Sequence, residues 1–325
     1  MNQEEPQDNK NESIPGENIF LFCYSFVSAI TGTFGNVFVI YSIKRCRSFR
    51  MNKINLNFIK NVAISDMLYI LTRIIPVSIT NLTLEWKFGY EVCYVSSTLA
   101  SISAIANMNF IAGLTLYRLM MLSFPLYNFT MMRKYIQLLC SMIWAYSSIL
   151  GFRNIFVKST AVFVKQISTC IIQYSYSGVE NIIYSVLFML APFSLIILSN
   201  ILLAVKTFLH SRKIRTNKQI RITRSGIKLL LEKRRKQATL TVGSLSMLLI
   251  ISWLPGLIKR FGGLKNSHPG LSKATIYLFF INSFGNPILY TLCSQDFKTV
   301  VQQSMKRWAK KAARAARLPM YPLVN

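Results

Sequence analysis

Residues 92–117 read VCYVSSTLASISAIANMNFIAGLTLY and contain no charge. A helix rising about 1.5 Å per residue needs about 20 residues to cross the roughly 30 Å hydrocarbon core of a bilayer, so this run is long enough. Six further apolar runs lie around it. Upstream, 19–43 is uncharged, and 54–81 is apolar but holds Lys60, Asp66 and Arg73. Downstream, 135–152, 181–205, 237–258 and 274–295 are uncharged, the first of these being near the minimum length. A buried helix of a large soluble protein accounts for one such run, not for seven in 325 residues. Only 15% of the residues are charged, against about a quarter in a soluble domain. The pattern predicts an all-α membrane protein, a seven-transmembrane helix bundle with a short amphipathic eighth helix. Its parts are an N-terminal tail (1–18), the seven-span domain (19–295), a membrane-surface helix (296–310) and a C-terminal tail (311–325).

The net charge of +27 raises a nucleic-acid partner, but that requires a solvated basic face. Here the basic residues sit between apolar runs, where they set orientation instead. The first connection holds Lys44, Arg45, Arg47, Arg50 and Lys53, and the third holds Arg133 and Lys134. The fifth, residues 206–236, holds twelve basic residues, and the tail adds Lys298, Lys306, Arg307, Lys310, Lys311, Arg314 and Arg317. The opposite side carries Glu4, Glu5, Asp8, Glu12, Glu17, Glu85, Glu91 and Glu180. The expectation is a multi-pass plasma-membrane protein with its N-terminus extracellular and its C-terminus cytoplasmic. The polar first residues give no cleavable signal peptide, so the first apolar run is expected to act as signal anchor. The sequons at Asn11 and Asn81 fall on the outer side and are candidate glycosylation sites; Asn128-Phe-Thr130 falls inside. The six cysteines match no zinc spacing, and there are two histidines.

Asp66 lies within the second run. An ionised carboxylate is costly in hydrocarbon, so it must face the bundle interior and find partners there. Asn282, Ser283 and Asn286 of the seventh run and Ser103 and Asn107 of the third are available. They make either a wet or ion-filled cluster or an interhelical hydrogen-bond network without an ion.

Each run carries one further marker. These are Gly35-Asn36-Val37; Asn61 to Asp66; Trp86-Lys-Phe-Gly89 followed by Cys93; Leu116-Tyr-Arg-Leu119 with Phe124-Pro-Leu126; Trp144; Pro192; Ser252-Trp-Leu-Pro255; and Asn282-Ser-Phe-Gly-Asn-Pro-Ile-Leu-Tyr290. As an ordered set over residues 19–310 they resemble the rhodopsin-like family of G-protein-coupled receptors. The resemblance implies a disulfide between Cys93 and Cys170, and an allosteric sodium site at Asp66, Asn107, Asn282 and Ser283. It implies that Trp253 sits beneath the ligand and that Pro255 kinks its helix. Asn286, Pro287 and Tyr290 become the moving part of the seventh helix. Arg118 engages a heterotrimeric G protein, and Leu126 fills an apolar pocket of that partner.

The chain departs from the family at three places. Tyr117 replaces the acid before the arginine, Arg235 replaces an acid at the start of the sixth helix, and Asn200 stands where an activation tyrosine is usual. The expectation is a weakened resting lock and raised ligand-independent signalling.

The extracellular ligand is open, as an anionic small molecule or a peptide. Phe280 stands where opsins hold their retinal lysine, so no retinal cofactor is expected. Ala100 stands where amine receptors hold an aspartate. Arg73 lies seven residues after Asp66 and Arg260 seven after Trp253. Each shares a face with an inward marker, about 10 Å further out. The two arginines either read an anionic ligand group or snorkel and pair with Glu85, Glu91 or Glu180. Ala104, Tyr184, Phe188, Leu257, Ile276 and Phe280 complete the candidate cavity, or are ordinary helix packing.

In the tail, Phe297, Val300, Val301, Met305 and Trp308 share one helical face, flanked by basic residues. This predicts a helix lying on membrane lipid, while 312–325 suits a free tail. The alternative class, a seven-helix transporter or channel, calls for internal repeats that the chain does not show. No metal triad, phosphate loop or nucleophile–base set marks an enzyme.

Overall fold

The computed structural model describes residues 15–45, 53–124, 132–155, 159–174, 178–216, 226–261, 269–294 and 297–303, with residues 306 and 310. Seven helices account for most of these. They are α1 (Pro15–Arg45), α2 (53–83), α3 (Gly89–Ser123), α4 (Met132–Gly151), α5 (178–216), α6 (Gly226–Phe261) and α7 (Pro269–Cys293). Six are long and apolar enough to cross a membrane, and α4 contributes a shorter apolar stretch, Tyr135–Gly151.

Two helices carry a π-helical turn, at Ile70–Ile74 in α2 and Val186–Leu190 in α5. Both have the same local cause. Pro76 and Pro192 stand two residues past the turns, and a proline lacks the N–H that would bond four residues back and clashes with that carbonyl. The residues four back, Thr72 and Phe188, lie inside the two π turns. The wider i→i+5 turn absorbs the conflict without breaking the helix.

α3 is the central strut, packed against α2, α4, α5 and α6, while α1 packs on α2 and α7. Beside an apolar core the interior holds many polar groups, and the surface carries many large apolar side chains, unlike a soluble protein. Asp66 is 1% exposed and Asn286 fully buried, whereas Phe34 is 73% and Ile149 72% exposed. Only lipid makes that arrangement favourable, since polar groups then satisfy one another inside. Asn36 illustrates it: its Nδ2 donates to the Ser283 carbonyl at 2.9 Å, tying α1 to α7. The same pair of helices meets at Gly35, where a Cβ would come within 2.7 Å of Pro287. Asn61 Oδ1 accepts the Trp144 indole N–H at 3.0 Å, joining α2 to α4.

Between α4 and α5 runs an antiparallel hairpin of β1 (Ser159–Val164) and β2 (Thr169–Tyr174), with Phe163 opposite Cys170. The Cys93–Cys170 disulfide, Cα–Cα 5.5 Å, fastens β2 to the start of α3. Ser97 Oγ donates to the Cys170 carbonyl at 3.0 Å, and Thr80 Oγ1 donates to that of Ser168. The hairpin is thereby held over one end of the bundle.

After α7, residues 297–303 are helical, Phe297 and Val300 are buried, and the Phe297 ring stacks on Tyr290 at 5.5 Å. Met305 and Trp308, needed for the expected surface helix over 296–310, lie outside the described residues, as does the tail 311–325.

Candidate functional site

Two cavities lie in series along the bundle axis. The larger, about 400 Å³, sits under the hairpin. Its floor is aromatic: Trp253 stacks on Phe279 at 4.6 Å and meets Phe188 edge-on at 5.8 Å. Ala100, Ala104 and Ile276 add apolar wall, and Thr169 and Ile171 of the hairpin add a roof. Two cations line it, Arg73 from α2 and Lys259 from α6, and no carboxylate is found among its described lining residues.

Of the sequence-predicted ligand residues, Arg73, Ala100, Ala104, Phe188 and Ile276 meet in this cavity. Tyr184, Leu257 and Phe280 do not line it. The Tyr184 ring lies under the Arg153 guanidinium at 3.2 Å and 5.3 Å from Phe188. Leu257 belongs to the main apolar core. Phe280 is fully buried on the other side of α7, packed with Tyr24, Tyr69 and Tyr277. Its neighbour Phe279 faces the cavity instead. Arg260 lies in α6, with its side chain outside the described residues. Lys259 is the α6 cation that reaches the cavity, and its Nζ donates to Ser272 Oγ of α7. Sequence periodicity passed over Lys259, Phe279 and Thr169. The signal that marks Lys259 is its stem, since a lysine carries its charge several ångströms from its own helix face.

Arg73 is not paired with Glu85 or Glu91. Its Nη1 donates to Thr169 Oγ1 at 2.6 Å and to the Cys170 carbonyl. The arginine is thus part of the seam that holds the hairpin, while its side chain also lines the cavity.

The smaller cavity, about 20 Å³, is lined by Ser65, Asp66, Ser103, Asn107, Asn282 and Ser283. Trp253, Phe279, Tyr69 and Ala104 border both cavities. Asp66 accepts at each oxygen: Asn107 Nδ2 reaches Oδ1 at 2.9 Å and Asn286 Nδ2 reaches Oδ2 at 2.8 Å. Asn282 Nδ2 donates to Asn107 Oδ1 at 2.9 Å. The four expected residues are therefore together, joined by Asn286. Among the described residues the buried Oδ1 atoms of Asn282 and Asn286 have no hydrogen-bond donor. A carboxylate with spare amide oxygens and room for one water-sized guest fits a small hard cation.

At the opposite end of α3 from the disulfide, Tyr117 is buried and Arg118 half-buried, its Nε buried without a hydrogen bond among the described residues. Tyr290 is fully buried, its hydroxyl likewise without a partner. Pro255 and Pro287 lie inside α6 and α7. Leu126 and Asn11 fall outside the described residues, as does the Arg235 side chain. Asn81, the other candidate glycan acceptor, lies in α2. Its side chain is buried, its Oδ1 accepts the Tyr277 hydroxyl at 2.9 Å, and Nδ2, the atom that a glycan would join, is enclosed.

Residues 35–290 match the family described as 7 transmembrane receptor (rhodopsin family). The chain belongs to that family. The receptor is 22% identical to mouse (Mus musculus) relaxin-3 receptor 1, with 90% of this chain and 70% of that one covered. It is 24% identical to the zebrafish (Danio rerio) C3a anaphylatoxin chemotactic receptor, covering 91% and 77%. It is 25% identical to the mouse somatostatin receptor type 2, covering 91% and 81%. The crystal structure of squid rhodopsin superimposes with a TM-score of 0.74 at 16% identity, over 95% of this chain and 93% of that one, a likeness of fold. The receptor is therefore a multi-pass, G-protein-coupled membrane receptor, and the comparisons give no support to a transporter or channel. Its family is one of receptors rather than enzymes.

Proposed function

We propose that an extracellular ligand enters the 400 Å³ cavity from the disulfide end and shifts α6 and α7, so that Arg118 engages a cytoplasmic heterotrimeric G protein. The observation that carries this is the position of Trp253. It is the floor of the ligand cavity and at the same time a wall of the Asp66 cavity. A ligand pressing on the Trp253–Phe279 stack acts on the hydrogen bonds that fix α7 to α2 and α3 through Asp66 and Asn107. Pro255 and Pro287 leave α6 and α7 a missing backbone bond each, so those helices bend at low cost.

Arg118 faces no neighbouring acid in sequence, since Tyr117 precedes it. Resting and active arrangements then differ by little free energy, and a fraction of ligand-free molecules signals. A sodium ion in the small cavity, held by Asp66 with Asn107, Asn282 and Ser283, would supply positive charge against the buried carboxylate and favour the resting arrangement. Retinal has no place in this reading, because Phe280 has no amine and its ring is packed among Tyr24, Tyr69 and Tyr277. The basic connections and tail support an extracellular N-terminus, a cytoplasmic C-terminus and contact of 296–310 with inner-leaflet lipid.

Epitope tags at the two chain ends test the orientation in intact cells. The N-terminal tag should be labelled without permeabilisation and the C-terminal tag only after it; both tags on one side would overturn the proposal. Trp253→Leu tests the transmission step. Exchange on added G protein should change severalfold while surface expression holds, and unchanged exchange would count against Trp253.

A further inference from the structure

The receptor reading leaves the ligand unnamed, and the charges in the cavity narrow it. Arg73 of α2 and Lys259 of α6 line a cavity whose other described lining residues are apolar, aromatic or neutral hydroxyls. No carboxylate faces them among the described lining residues. Glu17 and Asp66 are engaged elsewhere. Glu17 pairs with Lys273 at 2.6 Å, and Asp66 lies beyond the Trp253 floor, accepting Asn107 and Asn286. Two like charges sharing one cavity repel each other and lack a counter-charge among the described lining residues.

The hydrogen bonds made by the two cations do not remove that deficit. Lys259 donates to a neutral hydroxyl, and Arg73 donates through Nη1 to a neutral hydroxyl and a carbonyl. Both bonds of Arg73 use Nη1, and neither uses the other edge of its fork, Nε with Nη2. A planar fork of that kind matches a carboxylate or phosphate with two parallel bonds.

We infer that the cavity takes an organic anion: an acid whose apolar or aromatic body rests on Trp253, Phe279 and Phe188, and whose charged group is shared by Arg73 and Lys259. The anion draws α2 and α6 together across the cavity. It also bears on the hairpin, since Arg73 holds Thr169 and the Cys170 carbonyl, and Cys170 is bonded to α3. This inference rests on the receptor reading for where ligands enter, but its test does not depend on signalling.

A thiol placed in the cavity measures its potential directly. Ser101 lines the cavity, and its hydroxyl donates to the Ser97 carbonyl one turn back at 2.9 Å. The Ser101→Cys receptor, full length in detergent or nanodiscs, is reacted with an anionic sulfonatoethyl and a cationic trimethylammonioethyl methanethiosulfonate. The reaction of the unsubstituted receptor is subtracted to remove Cys23 and the other native thiols. Relative to the same pair on free cysteine, the anionic reagent should be favoured by about tenfold. Lys259→Gln and, separately, Arg73→Gln should each lower that ratio by about threefold. Gel filtration of each variant shows that it is folded. A ratio at or below that of free cysteine would overturn the proposal, and so would a high ratio that neither substitution lowers.

Protection of the same thiol identifies the source of the anion. The probes are 3-phenylpropionate, a phenylalanine-terminated tripeptide acid and phenyl phosphate, with the carboxyl amides of the first two as neutral controls. Slowing by an acid but not by its amide supports the proposal and shows whether a small acid, a peptide terminus or a phosphate is preferred. Equal protection by acids and amides, or protection by none, contradicts it. Failure of nucleotide exchange on G protein would sink the signalling reading and leave these rates unaffected.

Discussion

Asn286 of α7 donates its Nδ2 to Asp66 Oδ2 of α2 at 2.8 Å, within the membrane-spanning part of the bundle. Asn107 of α3 holds the other oxygen at 2.9 Å. One buried carboxylate thus joins three helices, and its bond to α7 runs through the side-chain amide next to Pro287.

The charge of Asp66 is what the small cavity offers a cation. Asp66→Asn should abolish any rise in Tm produced by sodium over an equal concentration of choline, because a neutral amide cannot balance the ion. Thermal unfolding of both proteins in the two salts is the check. The same sodium increment in both proteins would remove Asp66 from the site.

Tyr117→Asp should lower ligand-free nucleotide exchange. An aspartate beside Arg118 restores a charge-assisted partner for the resting state. A pairing worth about 1 kcal/mol shifts the resting-to-active ratio about fivefold. Basal exchange equal to that of the parent receptor would show that the missing acid is not what sets basal activity.

At the α1–α7 contact the sequence has no slack. Gly35→Val should destabilise by about 1–3 kcal/mol, since even a Cβ would lie 2.7 Å from Pro287 Cβ and 2.9 Å from its Cγ. Gly16→Ala is the control, because nothing lies within 4 Å of its Cβ position. A lower Tm for the first and not the second is expected; equal Tm values would mean that α1 and α7 part easily.

Much of this was legible in the chain because hydrocarbon imposes strong rules. Residues 92–117 and their six counterparts could be found by length and charge alone, and Asp66 could only be an interior residue. Its partners followed from polar residues on runs three and seven. The cavity was harder to read. Arg73 lines it although a π turn at Ile70–Ile74 interrupts the even 3.6-residue count from Asp66. The cause, Pro76, was visible in the sequence, but its effect on facing was not. Phe279 rather than Phe280 faces Trp253 because the twist of α7 against α6 is a property of the packed bundle. The burial of Asn81 was illegible for the same reason: its partner, Tyr277, stands 196 residues away.

That burial gives a prediction of its own. Asn81→Gln should leave the electrophoretic mobility of the cell-expressed receptor unchanged before and after glycosidase treatment. It should also cost about 1 kcal/mol through the lost Tyr277 bond. A mobility shift confined to Asn81→Gln would show that the side chain carries sugar and faces outward.

In the proposed mechanism this bundle passes a conformational signal to a G protein through Arg118. The most direct measurement is guanine-nucleotide exchange on a purified heterotrimer panel, with the purified receptor in lipid vesicles and no ligand added. Exchange with at least one heterotrimer should run severalfold faster than with empty vesicles, and Arg118→Ala should return it to that baseline. Exchange that never exceeds the empty-vesicle rate, or that survives Arg118→Ala unchanged, would contradict the claim.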